Sequence, residues 1–206
     1  MDKIIEPISL KLIEKELNSD RFIRVTNNAN NEIYIVNSHN SPNVTKEIGR
    51  LREITFRNAG GGTGKSIDLD IFDTRDEAYY EQLIVWAPES KEIIGGYRFI
   101  KCNKVIKSKK FDDLATTKLF SFTEDFKTKY IPYTIELGRS FVQPNFQPSL
   151  GSRKGIFSLD NLWDGLGALV IEEPDIKYFF GKVTMYLDFD KMARDYILSF
   201  MNYFFA

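Results

Sequence analysis

The sequence predicts an α/β (α+β) domain in which one sheet is flanked by helices. Three observations carry that reading. Segments with helical spacing alternate along the chain with short, strand-like apolar runs. QLIVWA and EIIGGYRFI are joined by the turn-forming PESK and read as consecutive antiparallel strands. Arg52, Asp68, Asp70, Asp73, Arg98, Glu136 and Arg139 stand at the edges of apolar runs. Burying such charges is expensive unless they pair with each other or with a ligand, so they are expected to converge in one core.

The elements follow in order. Residues 9–18 have helical character, and RFIRV and EIYIV flank the asparagine-rich turn TNNANN as a hairpin. Residues 44–58 place Val44, Ile48, Leu51 and Thr55 on one side of a helix. AGGGTGKSI then breaks all regularity. The two strands around PESK come next, followed by a lysine-rich segment and a short helix near 112–125. YTIELGRSFV reads as a strand, 158–170 as a helix, IKYFFGKVTMY as a strand, and 190–205 as a final amphipathic helix. The expectation is one domain over 1–206, with the helix and hairpin of 1–43 as an N-terminal extension. A chain of 206 residues is large enough to bury a core without disulfides.

Composition excludes several classes. With 28 basic against 29 acidic side chains, the formal net charge of -1 lacks the basic excess of a general nucleic-acid binder. The single cysteine, Cys102, permits no internal disulfide and fits a reducing, cytoplasmic setting. The single histidine, His39, argues against a histidine triad or a multi-histidine metal site, and no metal is expected. The N-terminus lacks the pattern of a signal peptide, and no apolar run is long enough to cross a bilayer.

Two motifs invite readings that fail on inspection. Residues 60–66, GGGTGKS, resemble a phosphate loop, but only three residues separate Gly60 from Gly64, where four are required. The segment before them is helical and the one after, IDLDIFD, is acidic, so a flexible loop or a lid beside a cleft is expected. Asp68, Asp70 and Asp73 suggest a calcium loop, but its sixth and twelfth positions hold Asp73 and Tyr79 instead of glycine and glutamate. The alternation of Ile67, Leu69, Ile71 and Phe72 with the acids implies that at least one acid points inward.

The order Arg52-x-x-x-Phe56, Asp68-x-Asp70-x-x-Asp73, Arg98 and Glu136-x-x-Arg139 resembles the N-acyl-homoserine-lactone synthases. The wording GRLREITFR, DLDIFD, EQLIVW, IIGGYR, IELGRSFV, SLDNLWDGLGAL and KYFFGKVTMY is similar to another branch. That branch holds the bacterial amino-acid N-acyltransferases of ornithine and glycine lipids, often labelled "hemolysin-like". The resemblance runs from about residue 30 onward. It implies a GNAT-like fold: a mixed, mostly antiparallel sheet whose fourth strand, YTIELGRSFV, splays from the fifth, IKYFFGKVTMY, to open a V-shaped cleft. QPNFQPSLGSRKG, before helix 158–170, stands where the pantetheine loop belongs but departs from the usual glycine spacing. Gly151 and Gly155 offer backbone N–H groups there, and Arg153 and Lys154 add positive charge. This favours phosphopantetheine on acyl carrier protein over free coenzyme A. A GNAT fold adds two strands after the last helix and the related enzymes are longer, so the chain is expected to be C-terminally shortened. Tyr203, Phe204 and Phe205 then need a partner surface.

The resemblance implies transfer of a long, 3-hydroxylated acyl group from acyl carrier protein or coenzyme A to the α-amine of glycine or ornithine. No tightly bound cofactor is expected. Such an amine is protonated near neutral pH and needs a base, for which Glu136 is the candidate, directly or through a water. Arg139 and Arg98 would bind the substrate carboxylate or orient the acids, with Arg52, Asp70 and Asp73 completing the set. The alternative is that Arg52, Asp73 and Arg98 are chiefly an internal ion-pair scaffold. Amides near Phe141 and Val142 would hold the oxyanion. Phe56 and Trp86 are acyl-pocket candidates, while Trp163, Phe179, Phe180 and Tyr186 read as core or cleft wall. Lys101, Lys104, Lys107, Lys109 and Lys110 form either a solvated face or a docking patch for an acidic carrier protein. Cys102 reads as inert. Homoserine-lactone synthesis is the second reading, and a non-catalytic domain binding an acyl group or a membrane surface the third. Strand parity adds one constraint: Glu136 and Arg139 are three apart, so both reach one site only across a bulge near Leu137 and Gly138.

Overall fold

The computed structural model describes residues 1–107, 114–147, 155–185 and 189–205. Six strands form one sheet in the order β1 to β6: Phe22–Val25, Glu32–Val36, Glu81–Ala87, Glu92–Lys101, Thr134–Val142 and Tyr178–Gly181. The first five pair antiparallel and β5 with β6 parallel, giving the mixed, mostly antiparallel sheet of the expectation. The hairpin read as an N-terminal extension is continuous with this sheet, because β2 pairs with β3 from Glu32 to Val36.

β3 and β4 are central and nearly all buried, which is why their sequences are continuous apolar runs. Alternation assigns their side chains to two layers. Ile84 and Trp86 face helix α1 (Leu10–Glu16) and helix α2 (Pro42–Asn58), packing with Ile13, Val44, Ile48 and Leu51. Leu83 faces the other way and packs with Leu166 and Leu169 of α6 (Ser158–Glu172), as Val85 does with Leu162. A third cluster joins Phe72 of α3 (Ile71–Thr74) to Tyr80, Ile100, Leu114, Ile131, and Cys102 and Val105 of α4 (Cys102–Lys107).

IDLDIFD holds the inward-pointing acids expected of it, Asp68 and Asp73 both being buried. Asp70 caps the one-turn helix α3, its Oδ1 accepting from the Phe72 N–H at 2.9 Å while Asp73 Oδ2 accepts from the Asp70 N–H at 2.9 Å, a reciprocal cap that satisfies the backbone there. Other expectations are corrected. The helix placed near 112–125 is instead a 3-10 turn at Ala115–Lys118 and the helix α5 at Glu124–Lys129, split where Thr123 caps Phe126. Of the described residues of IKYFFGKVTMY, only Tyr178–Gly181 is strand. Trp163 is not core or cleft wall but 66% exposed on the outer face of α6. The last helix, α7 (Lys191–Phe205), buries no residue among those described.

Candidate active site

Strand β5 organises the site. Opposite it on β4, Arg98 pairs with Gly138 and Gly96 with Phe141, so Arg139 and Ser140 together face the single residue Tyr97. This is a bulge, and Arg139 carries its left-handed backbone at φ 49°. The expected bulge is therefore present, one residue beyond the Leu137–Gly138 pair, with the strained conformation on arginine instead of glycine. Its effect is visible in packing: Ile135 lies with α6, yet Phe141, six residues on, lies with α2. In a regular strand the two would share a face. The switch puts Glu136 and Arg139 on the same side.

There the charged set converges. Arg52, fully buried on α2, reaches Asp68 (Nε–Oδ2 3.2 Å) and Asp73 (Nη2–Oδ2 3.1 Å), and also donates to the Asp68 carbonyl. Gln82 donates to Asp73 at 2.9 Å. Arg98 bridges Asp70 at 2.8 Å and Asp73 at 3.1 Å. Arg139, 34% exposed, lies 3.3 Å from Asp68 and 3.7 Å from Asp70. Burial alone would raise the Asp73 pKa, but the charges of Arg52 and Arg98 outweigh it and hold the group at about 2. Three guanidinium groups thus face three carboxylates. Arg98 Nε and Arg139 Nε are buried donors with no partner among the described residues.

Glu136 stands beside this network, 2% exposed. Oε1 accepts from the Tyr80 hydroxyl at 2.7 Å and Oε2 from the Thr116 hydroxyl at 2.6 Å. Ala115 N–H donates to the Tyr80 oxygen at 2.8 Å and fixes its direction. Burial, then the neighbouring Glu136 charge, pushes the Tyr80 pKa far up, so it stays a phenol.

Three cavities follow β5. The first, about 250 Å³, is lined by Asp70, Tyr80, Arg98, Thr116, Glu136 and Arg139, with Lys118 and Lys182 at its wall. The second, about 550 Å³, shares Gly138, Arg139 and Lys182 with it. The third, about 420 Å³, shares Phe56 and Ser140 with the second and adds Phe141 and Val142. The parallel pairing of β5 with β6 ends at Leu137 and Gly181 while β5 continues to Val142, so the groove passes where the strands part. Gln143 N–H donates to Ile94 O at 2.9 Å, and strand alternation therefore turns the Val142 N–H away from β4, toward that opening.

The expected residues fall into three groups. Asp70, Arg98, Glu136 and Arg139 line the first cavity. Arg52 and Asp73 do not line it; they lie fully buried and pair with one another, and Asp73 pairs also with Arg98. Phe56 and Val142 line the groove farther on, and Phe141 contributes there while belonging to the core. Gly155 is buried with the Phe146 carbonyl where a side chain would stand, so close packing accounts for its being glycine. Gly151, Arg153, Lys154, Tyr186, Lys109 and Lys110, and the Lys107 side chain, lie outside the described residues. Trp86 packs in the core against α1 and α2 and does not line the three cavities along β5.

Of the lysines weighed as a docking patch, Lys104 pairs with Glu81 at 2.9 Å and Lys101 with Glu173. Cys102 is buried, and burial together with Glu136 pushes its thiol up to about 12. Residues 60–66 are tied down: the Thr63 and Gly64 N–H groups and the Thr63 hydroxyl all donate to Glu53 at 2.6–3.0 Å. The glycine loop binds the chain's own carboxylate in place of a phosphate, and Gly61 borders the second cavity.

Sequence reasoning missed Tyr80, Thr116, Lys118 and Lys182. Parity was the available signal for Tyr80, which shares a strand face with Gln82; Thr116, Lys118 and Lys182 lie in irregular segments and had none.

Residues 51–153 match the acetyltransferase (GNAT) domain family, to which the chain belongs, and the mixed, mostly antiparallel sheet is consistent with that fold. It is 51% identical over 207 residues to a glycine N(alpha)-acyltransferase of Phocaeicola vulgatus, covering 98% of this chain and 62% of that relative. A glycine N(alpha)-acyltransferase of Bacteroides thetaiotaomicron is 52% identical over 207 residues, covering 98% and 60% respectively. The chain thus spans about three fifths of the length of these curated relatives. No solved structure matches it. Among the described residues no helix is long and apolar enough to cross a membrane.

Proposed function

We propose that this chain carries the catalytic site of an N-acyltransferase that moves a long fatty acyl group from a thioester to the α-amine of glycine. The observation that carries the reading is the row of three cavities along β5, adjoining ones sharing lining residues, which begins at Glu136 and runs beside the parting of β5 and β6. The glycine N(alpha)-acyltransferase names of the two relatives support glycine over ornithine or a homoserine-lactone precursor. The thioester enters at the second and third cavities and the amino acid occupies the first. Glu136 takes a proton from the ammonium, and the free amine attacks the thioester carbonyl. The Val142 N–H meets the oxyanion. The thiolate leaves with no covalent enzyme intermediate, since Cys102 is a buried, protonated thiol.

The geometry changes one assignment. The guanidinium charges are already matched by Asp68, Asp70 and Asp73, so the substrate carboxylate needs another cation. Lys118 and Lys182 line the cavity and have no carboxylate partner among the described residues; Lys118 Nζ lies 4.9 Å from the Phe72 ring centroid. Replacing both lysines by alanine is expected to raise KM for glycine roughly tenfold, the worth of about one exposed charge-assisted contact, with kcat within about threefold. Initial-rate kinetics check it; an unchanged KM places the carboxylate elsewhere.

The decisive experiment is lipid mass spectrometry of a heterologous host expressing the protein, with purified protein assayed on glycine and acyl thioesters. N-acylglycine is expected, with acyl carrier protein thioesters outperforming acyl-coenzyme A and the mass reporting any 3-hydroxyl. Absence of any N-acylated product in both would refute the function.

A further inference from the structure

We propose that the amine does not meet Glu136 directly, and that the hydroxyl of Thr116 is the catalytic group that touches it and relays its proton to the carboxylate. The inference rests on the acyl-transfer reading. Glu136 is 2% exposed and both of its oxygens already accept a hydroxyl hydrogen bond. Thr116, itself 3% exposed, lines the same cavity wall as Glu136, so an ammonium that approaches Oε2 from the cavity comes against the hydroxyl already bonded there.

The other acceptors on the cavity wall serve less well. Asp70 Oδ1 is taken by the Phe72 N–H and by Arg98, and Oδ2 faces Arg139, so its negative charge is already engaged. The Tyr80 oxygen accepts from Ala115 and donates to Glu136, and its ring is held between Phe72, 5.6 Å away centre to centre, and the Arg98 guanidinium at 5.0 Å. Tyr80 orients one Glu136 oxygen; it is a positioning residue. Thr116 differs. Its hydroxyl donates to Glu136 Oε2, which leaves the oxygen's acceptor sites for an incoming N–H. The 3-10 turn Ala115–Lys118 fixes it in place, and the same turn carries Lys118, the proposed carboxylate contact. One short turn would thus hold the substrate by its carboxylate and receive its amine.

The step balances. One N–H bond of the ammonium breaks as its proton passes to Thr116 Oγ1, while the Thr116 proton passes to Glu136 Oε2. The nitrogen becomes neutral, the carboxylate becomes an acid, and threonine is unchanged. After the C–N bond forms and the C–S bond breaks, the second proton shed by nitrogen leaves on the thiol. Glu136 then gives the proton it holds back through the Thr116 hydroxyl, and one proton passes from there to solvent.

The test is Thr116→Val, which keeps the shape and removes the hydroxyl, compared with Thr116→Ser and the parent in single-turnover acylation of glycine. The valine variant is expected to lose at least roughly 100-fold in rate, the lower range for a lost acid–base group, with KM for glycine within about threefold; serine should recover most of the rate. In mixtures of light and heavy water the parent rate should curve, because two protons move together, and the valine rate should fall on a straight line. A purely structural threonine would not change that curvature. A near-parental rate for the valine variant, or a linear parent inventory, overturns the relay. If valine prevents folding, the parent inventory and the serine variant still decide. A parent that acylates no amine refutes the acyl-transfer reading itself, and the relay with it.

Discussion

Glu136→Gln is expected to lower kcat for glycine acylation by roughly 10²- to 10⁴-fold, the usual weight of a positioned general base, while leaving the melting temperature nearly unchanged. The amide has the shape of the carboxylate. Its oxygen can accept from Tyr80, and its NH₂ can donate to the Thr116 oxygen, which has free acceptor sites. The buried hydrogen bonds are thus conserved with one reversed, and no charge is stranded. What is lost is the ability to hold the proton that the ammonium must shed. Single-turnover rates at saturating glycine, with thermal melts beside them, separate the two contributions. Activity near that of the parent would remove Glu136 from the reaction. A collapse of stability with the activity would make its role structural.

Much of this site was legible from residue order, because the costs that govern charged residues near apolar strands are strong and local. Charges at the ends of apolar runs had to pair, and they do: Arg52, Arg98 and Arg139 engage Asp68, Asp70 and Asp73. The bulge was legible too, since parity forbids Glu136 and Arg139 from sharing a face on a regular strand. Its position was not, because glycine marks where a left-handed residue is cheap, and here Arg139 adopts that conformation while held by two aspartates. Tertiary ion pairs overrode local preference. IDLDIFD was legible in part: alternation put an acid inward, as Asp68 and Asp73 are, while the three-residue spacing of Asp70 and Asp73 carried the further signature of a capping box. Thr116, Lys118 and Lys182 had no pattern to reveal them. They reach the site from a 3-10 turn and from the segment after β6, and only the closing of the third core cluster around Leu114 and Ile131 brings the turn there.

Arg52→Met should destabilise the protein by about 3–5 kcal/mol at neutral pH, the typical cost of removing one partner of a buried ion pair. Among the described residues Arg52 is the only cation within reach of both Asp68 and Asp73 that is itself fully buried, and it also ties down the Asp68 carbonyl. Methionine fills much of the volume but leaves Asp68 to Arg139, a third exposed, and Asp73 to Arg98 and Gln82. The pH dependence distinguishes this from a packing defect. In the parent, Asp73 titrates at about 2, below the ordinary carboxylate value of about 3.9. A depressed carboxylate stabilises above its unfolded pKa, so the contribution is present from neutral pH to about 4 and is lost as pH falls through about 2. In the variant the opposing burial is no longer outweighed by Arg52, and protonating Asp73 relieves it. The stability gap between parent and variant should therefore be widest near pH 7 and narrow steadily toward pH 3, as read from urea unfolding midpoints across that range. A gap that does not change with pH would mean that Arg52 acts by filling space, and a gap under about 1 kcal/mol would mean that Arg98 and Arg139 already satisfy the acids without it.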